Sequence, residues 1–490
     1  MRGSGLLLHI SSLPNPYGIG TLGKEAYQFV DFLKKAGQKY WQVLPLGPTS
    51  YGDSPYQTFS AFAGNPYFID LDQLCKEKLL KKSEYQILKT DPSASIDFSF
   101  QYQHRFVILK LAFERFLKAS NHDQFNQFIS DNQMWLADYA LFMAIKEHMP
   151  EGNWHLWDYE LKIRDPKALK RFQKDNARDI QFWMFLQYKF FEQWHALKNY
   201  ANEKGIKIIG DMPIYVAYDS SDVWANPKYW QLDQELNPLS VAGVPPDHFA
   251  ITGQLWGNPL YNYDLMEKDG FKWWIERIRE SLKLFDVVRI DHFRGFEAYY
   301  SVPFTDKTAE NGHWVKGPGM KLFSKVKEIL GEVQIIAEDL GFLTAEVYQL
   351  LHDCGYPGMK ILQFGFDARS DSEYAPHNYV KNAVVYTGTH DNLPIEAWID
   401  SLNPKDYQYF MDYLHLNDRK KAGFTAILEC LKSVCEIAII PMQDYLALKG
   451  EARMNRPSFL GGNWIWRVQK AAMNEQLAKK INYWVKVYRR

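Results

Sequence analysis

The chain predicts a (β/α)8 barrel. A helical pattern that ends at glycine, followed by a short apolar run, recurs along the sequence. Eight such runs can be counted, and several close on an acidic residue. Continuous apolar runs suit parallel strands buried on both faces, and eight alternating units favour a closed barrel over its competitor, a doubly wound sheet.

In order, the runs are "LLLHI" (6–10), "YWQVLPL" (40–46), "IKIIGD" (206–211), "DVVRID" (286–291), "VQIIAED" (333–339), "MKILQFGF" (359–366), "AVVYTGTHD" (383–391) and "IAIIPMQ" (437–443). Ala26, Phe29, Val30 and Leu33 fall on one helical face before Gly37. Phe190, Phe191, Trp194 and Leu197 do so before Gly205, and Leu322, Val326 and Ile329 before Gly331. Glycine suits the left-handed position that ends a helix. The whole of 1–490 is read as one catalytic barrel with two gaps too long for single crossovers. The gap 47–205, after the second strand, is expected to be a largely helical insertion. The gap 212–285, after the third, is rich in Pro, Gly, Asn and Trp and is expected to form long loops over a site.

Composition narrows the function. A net charge of -1 favours neither nucleic acid nor an anionic membrane as partner. No apolar stretch approaches a membrane span, and the N-terminal apolar run is too short for a signal peptide. The four cysteines (Cys75, Cys354, Cys430, Cys435) form no CxxC pattern, so reduced thiols and a cytoplasmic setting are expected. Aromatic residues make up 16% of the chain. A large aromatic core accounts for that most simply; stacking platforms for sugar rings are the sharper alternative.

Three runs end in Asp211, Asp291 and Glu338, and a fourth leads through "TGTHD" to Asp391. Taken singly, each acid could be a helix cap or an ion-pair partner, and His390 a structural histidine. Together they gather where barrel chemistry occurs, at the C-terminal strand ends. Arg289, two residues before Asp291, shares its strand face and can hold it ionised, as a nucleophile requires; Glu338 could stay protonated in a less polar setting. A metal hydrolase is the rival. The chain has no HxH after the first strand and no HExxH, so no metal is expected.

These residues also carry a resemblance. "GDMPIYV", "VVRIDHFRG", "IIAEDLG" and "YTGTHDN" resemble the four motif regions of the α-amylase clan. "LLLHISSLPNPYGIGTLG", "WQVLPLGPTSYGDSPYQTFSAFAGNPYFIDL", "GVPPDHFAITGQLWGNPLY" and "RMNRPSFLGGNWIWR" resemble the 4-α-glucanotransferases, the amylomaltases or disproportionating enzymes of glycoside hydrolase family 77. The resemblance implies a barrel with inserted subdomains and no C-terminal β-domain. It implies that Asp291 is the nucleophile, Glu338 the general acid/base, and Asp391 the acid that binds and distorts the sugar at the cleavage subsite. Arg289, His390 and Asp211 would surround that subsite, with His292 beside the nucleophile and Tyr56 as platform beneath the ring. Gln254, Trp256 and Asn258 would lie in a loop over the donor groove, Asn463 and Trp464 in a second closing loop, and Tyr51 would mark a second glucan site, with a plain surface tyrosine as the equal alternative. The family more often has Pro-Gly-Thr where this chain reads "RPSFLGG", a departure that bears on the second loop's shape and on acceptor preference.

The implied substrates are α-1,4-glucans and maltooligosaccharides, handled without a cofactor by a monomer or, alternatively, a dimer. Retention would set the two carboxyls about 5–5.5 Å apart. A hydrolase of the same clan is the alternative activity. A non-catalytic glucan-binding barrel is a remote third, for which one acid should have been lost.

Overall fold

The computed structural model describes residues 2–490 except 93, 150, 151, 247–249, 342 and 460; the Tyr51 side chain, and with it the expected second glucan site, lies outside the described set. Among the described residues twelve strands form two sheets: β1 (Gly3–Leu7), β2 (Tyr40–Gln42), β3 (Lys207–Met212), β4 (Ser240–Val244), β5 (Gln254–Pro259), β6 (Val287–Ile290), β7 (Ala298–Pro303), β8 (His313–Lys316), β9 (Ile335–Ala337), β10 (Gly358–Ile361), β11 (Ala383–Tyr386) and β12 (Ile437–Pro441). Eight of them pair in parallel in the order β10-β11-β12-β1-β2-β3-β6-β9. The Ala337 N–H, donated 3.0 Å to the Pro357 carbonyl, bridges the remaining seam. Each apolar run is one stave of a nearly closed barrel.

The first stave starts earlier than its apolar run, at Gly3 rather than Leu6. Glycine hides it: a Cβ on Gly5 would stand 2.6 Å from the Tyr40 carbonyl oxygen. Leu8 and Ile10 are buried beyond the strand's end, so apolar character outlasts the ladder. The helix Lys24–Lys35 buries Ala26, Phe29, Val30 and Leu33 completely. In the helix Met320–Leu330, Leu322 and Val326 are buried, but Ile329 in the last turn is 44% exposed. Periodicity marks a helix face without saying how far along it the neighbours reach.

Between β2 and β3 the longer helices are Phe98–Phe116, Asp123–Asp131, Leu136–His148, Pro166–Asp175 and Ala177–Glu203. Aromatic rings hold them together: Phe116 lies 4.9 Å from Phe185 and 5.3 Å from Phe125, and Trp135 lies 5.8 Å from Phe191. Trp41, Trp154, Trp194, Trp224 and Trp274 are all less than 2% exposed. Most of the aromatic content is therefore core, at roughly 1.5–3 kcal/mol for each large side chain buried.

The stretch 212–285 is more ordered than loops. It contains β4, β5 and the helix Lys272–Leu284. β4 and β5 join β7 and β8 in a second, antiparallel sheet of order β5-β4-β7-β8. After β12 the described residues form only short helices, turns and the helix Glu475–Val487, with no strand. Among the described residues no helix is long and apolar enough to cross a membrane.

Arg490 fastens the face of the barrel opposite the strand C-termini. Its buried guanidinium donates to the carbonyls of Cys430, Leu431, Ser433 and Cys435, and at 3.4 Å to that of Gly3. Cys430 and Leu431 are in the last turn of the helix Arg419–Lys432, whose carbonyls have no partner within the helix; Ser433 and Cys435 follow it, and Gly3 opens β1.

Candidate active site

Asp211 lies within β3, Asp291 one residue beyond β6 and Glu338 one residue beyond β9; Asp391 follows β11 on a short turn. Arg289, on β6, is the hub. Its Nη1 donates to both oxygens of Asp211 at 2.7 Å and to Asp291 Oδ1 at 3.0 Å, while its Nε meets the Met359 sulfur at 3.4 Å. The Arg289 and Asp211 side chains are 4% and 0% exposed. A buried pair of this kind persists only when its remaining bonds are made, and Tyr56 makes one, its hydroxyl donating to Asp211 Oδ2 at 2.9 Å. Burial opposes the Arg289 charge, but Asp211 and Asp291 raise its pKa above the ordinary value.

The two carboxyls of the central pair differ in setting. Burial raises Asp291 above the usual aspartate range, with Arg289 beside it opposing the rise. Its Oδ2 takes no hydrogen bond from a described residue and points free of the Arg289 clamp. Glu338 is pushed up to about 8, by burial first and then by the negative charge of Asp291. Its Oε2 accepts the His292 N–H at 2.6 Å and its Oε1 the Leu340 N–H at 2.9 Å. His292 reaches that position in a left-handed backbone conformation, φ 51°. The turn brings Glu338 against the peptide that directly follows Asp291. Burial lowers the His292 imidazole to about 3, so it is neutral.

Tyr56 stacks on His390, centroids 5.0 Å apart, and Trp464 tilts against both rings. His390 Nε2 lies 3.3 Å from Asp391 Oδ1. Asp211, Arg289, Tyr56, His390 and Asp391, expected around one subsite, thus lie together in one cluster. Gln254 and Trp256, two apart on β5, share a face; the Trp256 ring meets His292 edge-on at 4.9 Å, and its Nε1 donates to Gln254 at 3.2 Å. They sit on a strand, not on the loop expected from the sequence. Asn258 is buried and spent on structure: its amide donates to the Val216 carbonyl at 2.8 Å and its oxygen accepts from Gln57. Asn463 likewise closes its own loop, accepting the Arg456 N–H at 2.9 Å and donating to the Phe459 carbonyl at 2.8 Å. Pro457 is followed by Ser458 in the left-handed region, φ 65°, so serine keeps the conformation that glycine would adopt freely.

Three residues that the sequence reading passed over complete the site. Asn455 Nδ2 donates to Asp391 Oδ1 at 2.6 Å, and Arg453 Nη2 donates to the Asp391 carbonyl at 2.5 Å. Asp444, beyond β12, accepts the Thr387 hydroxyl at 2.5 Å and the Ile395 N–H at 2.8 Å, pinning both ends of the turn that carries His390 and Asp391. Burial raises Asp444 to about 7. Arg453 and Asn455 fall within the stretch "RMNRPSFLGGNWIWR" that carries the resemblance, and Asp444 lies three residues beyond β12; neither fact by itself shows what they hold.

A guanidinium-clamped aspartate near a buried glutamate of raised pKa, on the C-terminal rim of a (β/α)8 barrel, is an arrangement suited to chemistry on glycosidic bonds. Comparison with known proteins narrows the class. The family described as 4-alpha-glucanotransferase matches residues 8–473. A 4-alpha-glucanotransferase of Clostridium butyricum is 49% identical over 99% of this chain and 100% of its own length, and one of Streptococcus pneumoniae is 48% identical over 100% and 97%. The solved amylomaltase of Streptococcus agalactiae in complex with acarbose superposes with a TM-score of 0.97 at 42% identity, covering 100% of both chains. The chain belongs to the 4-alpha-glucanotransferase family.

Proposed function

We propose that the chain moves a segment of an α-1,4-glucan to the 4-OH of another glucan, or of glucose, by retaining double displacement on these residues. In the first half-reaction Asp291 Oδ2 attacks the anomeric carbon while the Glu338 proton passes to the glycosidic oxygen. The fragment bearing the reducing end leaves with that oxygen, and the donor segment remains as an ester on Asp291. In the second, Glu338 takes the proton of an acceptor 4-OH as its oxygen attacks the same carbon and frees Asp291. Two inversions leave the linkage α. Asp391, His390 and Arg289 line the subsite of the reacting sugar, and the Tyr56 ring lies beneath it. Gln254 and Trp256 on one side and the 456–463 loop on the other cover the intermediate, favouring a sugar acceptor over water. No cofactor is required, because the ester conserves the energy of the broken bond.

One observation carries the reading: the two facing carboxyls differ in setting, Asp291 against a guanidinium and Glu338 in a site that retains its proton at neutral pH. The test is a count of reducing ends. Each transfer breaks one α-1,4 bond and makes another, whereas each hydrolysis adds a reducing end. Maltotriose alone should yield glucose and a ladder of longer maltooligosaccharides at nearly constant reducing power. Reducing power that rises in step with glucose, with nothing longer than the substrate formed, would make the enzyme a hydrolase.

A further inference from the structure

Asp391 is a partly exposed carboxylate on a turn, not on a strand, and within that turn its carboxyl meets the His390 ring, Nε2 lying 3.3 Å from Oδ1. The segment 453–455 adds the shorter and directed bond. Asn455 Nδ2 donates to Asp391 Oδ1 at 2.6 Å, while the Asn455 N–H donates to the His390 carbonyl at 3.1 Å. Arg453 holds both partners, its Nη2 on the Asp391 carbonyl at 2.5 Å and its Nε on the Asn455 carbonyl at 2.7 Å. Asp391 Oδ2 is left without a hydrogen bond from a described residue, free to face the cleft. The same segment is the root of the 456–463 loop. The loop returns at Trp464, whose N–H donates to the Met454 carbonyl at 2.7 Å and whose ring lies against Tyr56 and His390. Both roots of the loop are therefore bonded to, or packed on, the residues of the reacting-sugar subsite.

We propose that Asn455 is a positioning residue that sets the carboxylate plane of Asp391 and couples it to the 456–463 loop. The proposal rests on the function proposed for this site, in which Asp391 binds the reacting sugar. An amide suits this role because it donates a directed bond without adding charge beside the Asp291–Arg289 pair. A purely structural asparagine would affect stability, and its loss would weaken ligand binding equally whether or not Asp391 is present.

The experiment is a double-mutant cycle read by acarbose titration calorimetry, with kcat/KM for maltotriose and the thermal midpoint measured alongside. Asn455→Ala should lower kcat/KM by about 10²-fold, the scale of a small misplacement at a reacting centre, with the thermal midpoint nearly unchanged. Acarbose binding should weaken roughly tenfold in the wild-type background and less than about twofold in the Asp391→Ala background. Asn455→Leu, of similar size with neither donor nor charge, should follow the same pattern, so that a misfolded alanine variant does not decide the question. Equal losses in both backgrounds, or no loss in the first, would overturn the proposal. If Asp391→Ala binds acarbose as tightly as wild type, Asp391 does not face the sugar; the underlying reading then fails, and the role of Asn455 with it, on that variant alone.

Discussion

In the proposed mechanism Glu338 must arrive at the reaction carrying a proton, and its setting favours the protonated form. Burial, reinforced by the Asp291 charge, moves its pKa from 4.5 to about 8. Activity that needs this proton is present below that value and lost as pH rises through it. The kcat/KM profile for maltotriose, which reports the free enzyme, should show a basic limb near pH 8 and an acid limb where Asp291 takes up a proton. Glu338→Gln should abolish the basic limb. With a glycosyl fluoride, whose leaving group needs no protonation, this variant should accumulate an adduct that mass spectrometry places on Asp291; an adduct on another residue would remove the nucleophile assignment. The same shift lowers stability as pH rises from 4.5 towards 8, because the unfolded chain releases a proton that the folded chain keeps. The cluster of Asp211, Arg289, Asp291 and Glu338 was legible in the sequence, since all four sit at the ends of apolar runs. The bonds that Asn455 and Asp444 make to a turn many residues away were not, although Asn455 falls within "RMNRPSFLGGNWIWR", because no local pattern expresses a hydrogen bond across the chain.

At the scale of elements, parallel staves are easy to read and antiparallel ones are not. A stave buried on both faces is a continuous apolar word, as in "AVVY" of β11. β5, "QLWGNP", is short, polar on one side and interrupted by Gly257, and reads as loop; only its pairing with β4 makes it a strand. That changes how the cover of the donor side should be tested. Removing 254–258 would cut a strand from a sheet, so point changes are the sounder probes. The loop on the other side offers such a probe at Ser458. A non-glycine residue at φ 65° carries about 1–2 kcal/mol of backbone strain, more if β-branched. Ser458→Gly should preserve the loop and the transfer-to-hydrolysis ratio. Ser458→Val should open the loop, raising the share of hydrolysed product in the maltotriose assay and speeding amide exchange over 456–463. Unchanged ratios in both variants would show that the loop's conformation does not govern access of water.

Across the whole molecule, the aromatic core and the Arg490 clasp divide the work of stability. Aromatic packing holds the helices between β2 and β3, whereas two guanidinium groups, those of Arg490 and Arg2, tie the end of the helix Arg419–Lys432 to the first strand. Arg490→Ala should leave the Cys430 and Cys435 carbonyls without their donor, at a cost of about 3 kcal/mol, visible as a lower thermal midpoint with kcat/KM at about 25 °C little changed. A midpoint equal to that of wild type would mean that water replaces the clasp. The clasp also marks a seam in time. β1 pairs with β12, in a register that joins Gly3 to Ile437 across about 430 residues of chain. At a synthesis rate of roughly 5–20 residues per second, the exposed edge of β1 waits some 20 to 90 s for its second neighbour. During that interval the nascent chain is an open sheet whose β1 edge lacks the partner that β12 later supplies. Aggregation and chaperone dependence should therefore be decided during translation, by how long that border stays bare, more than by the stability of the finished barrel.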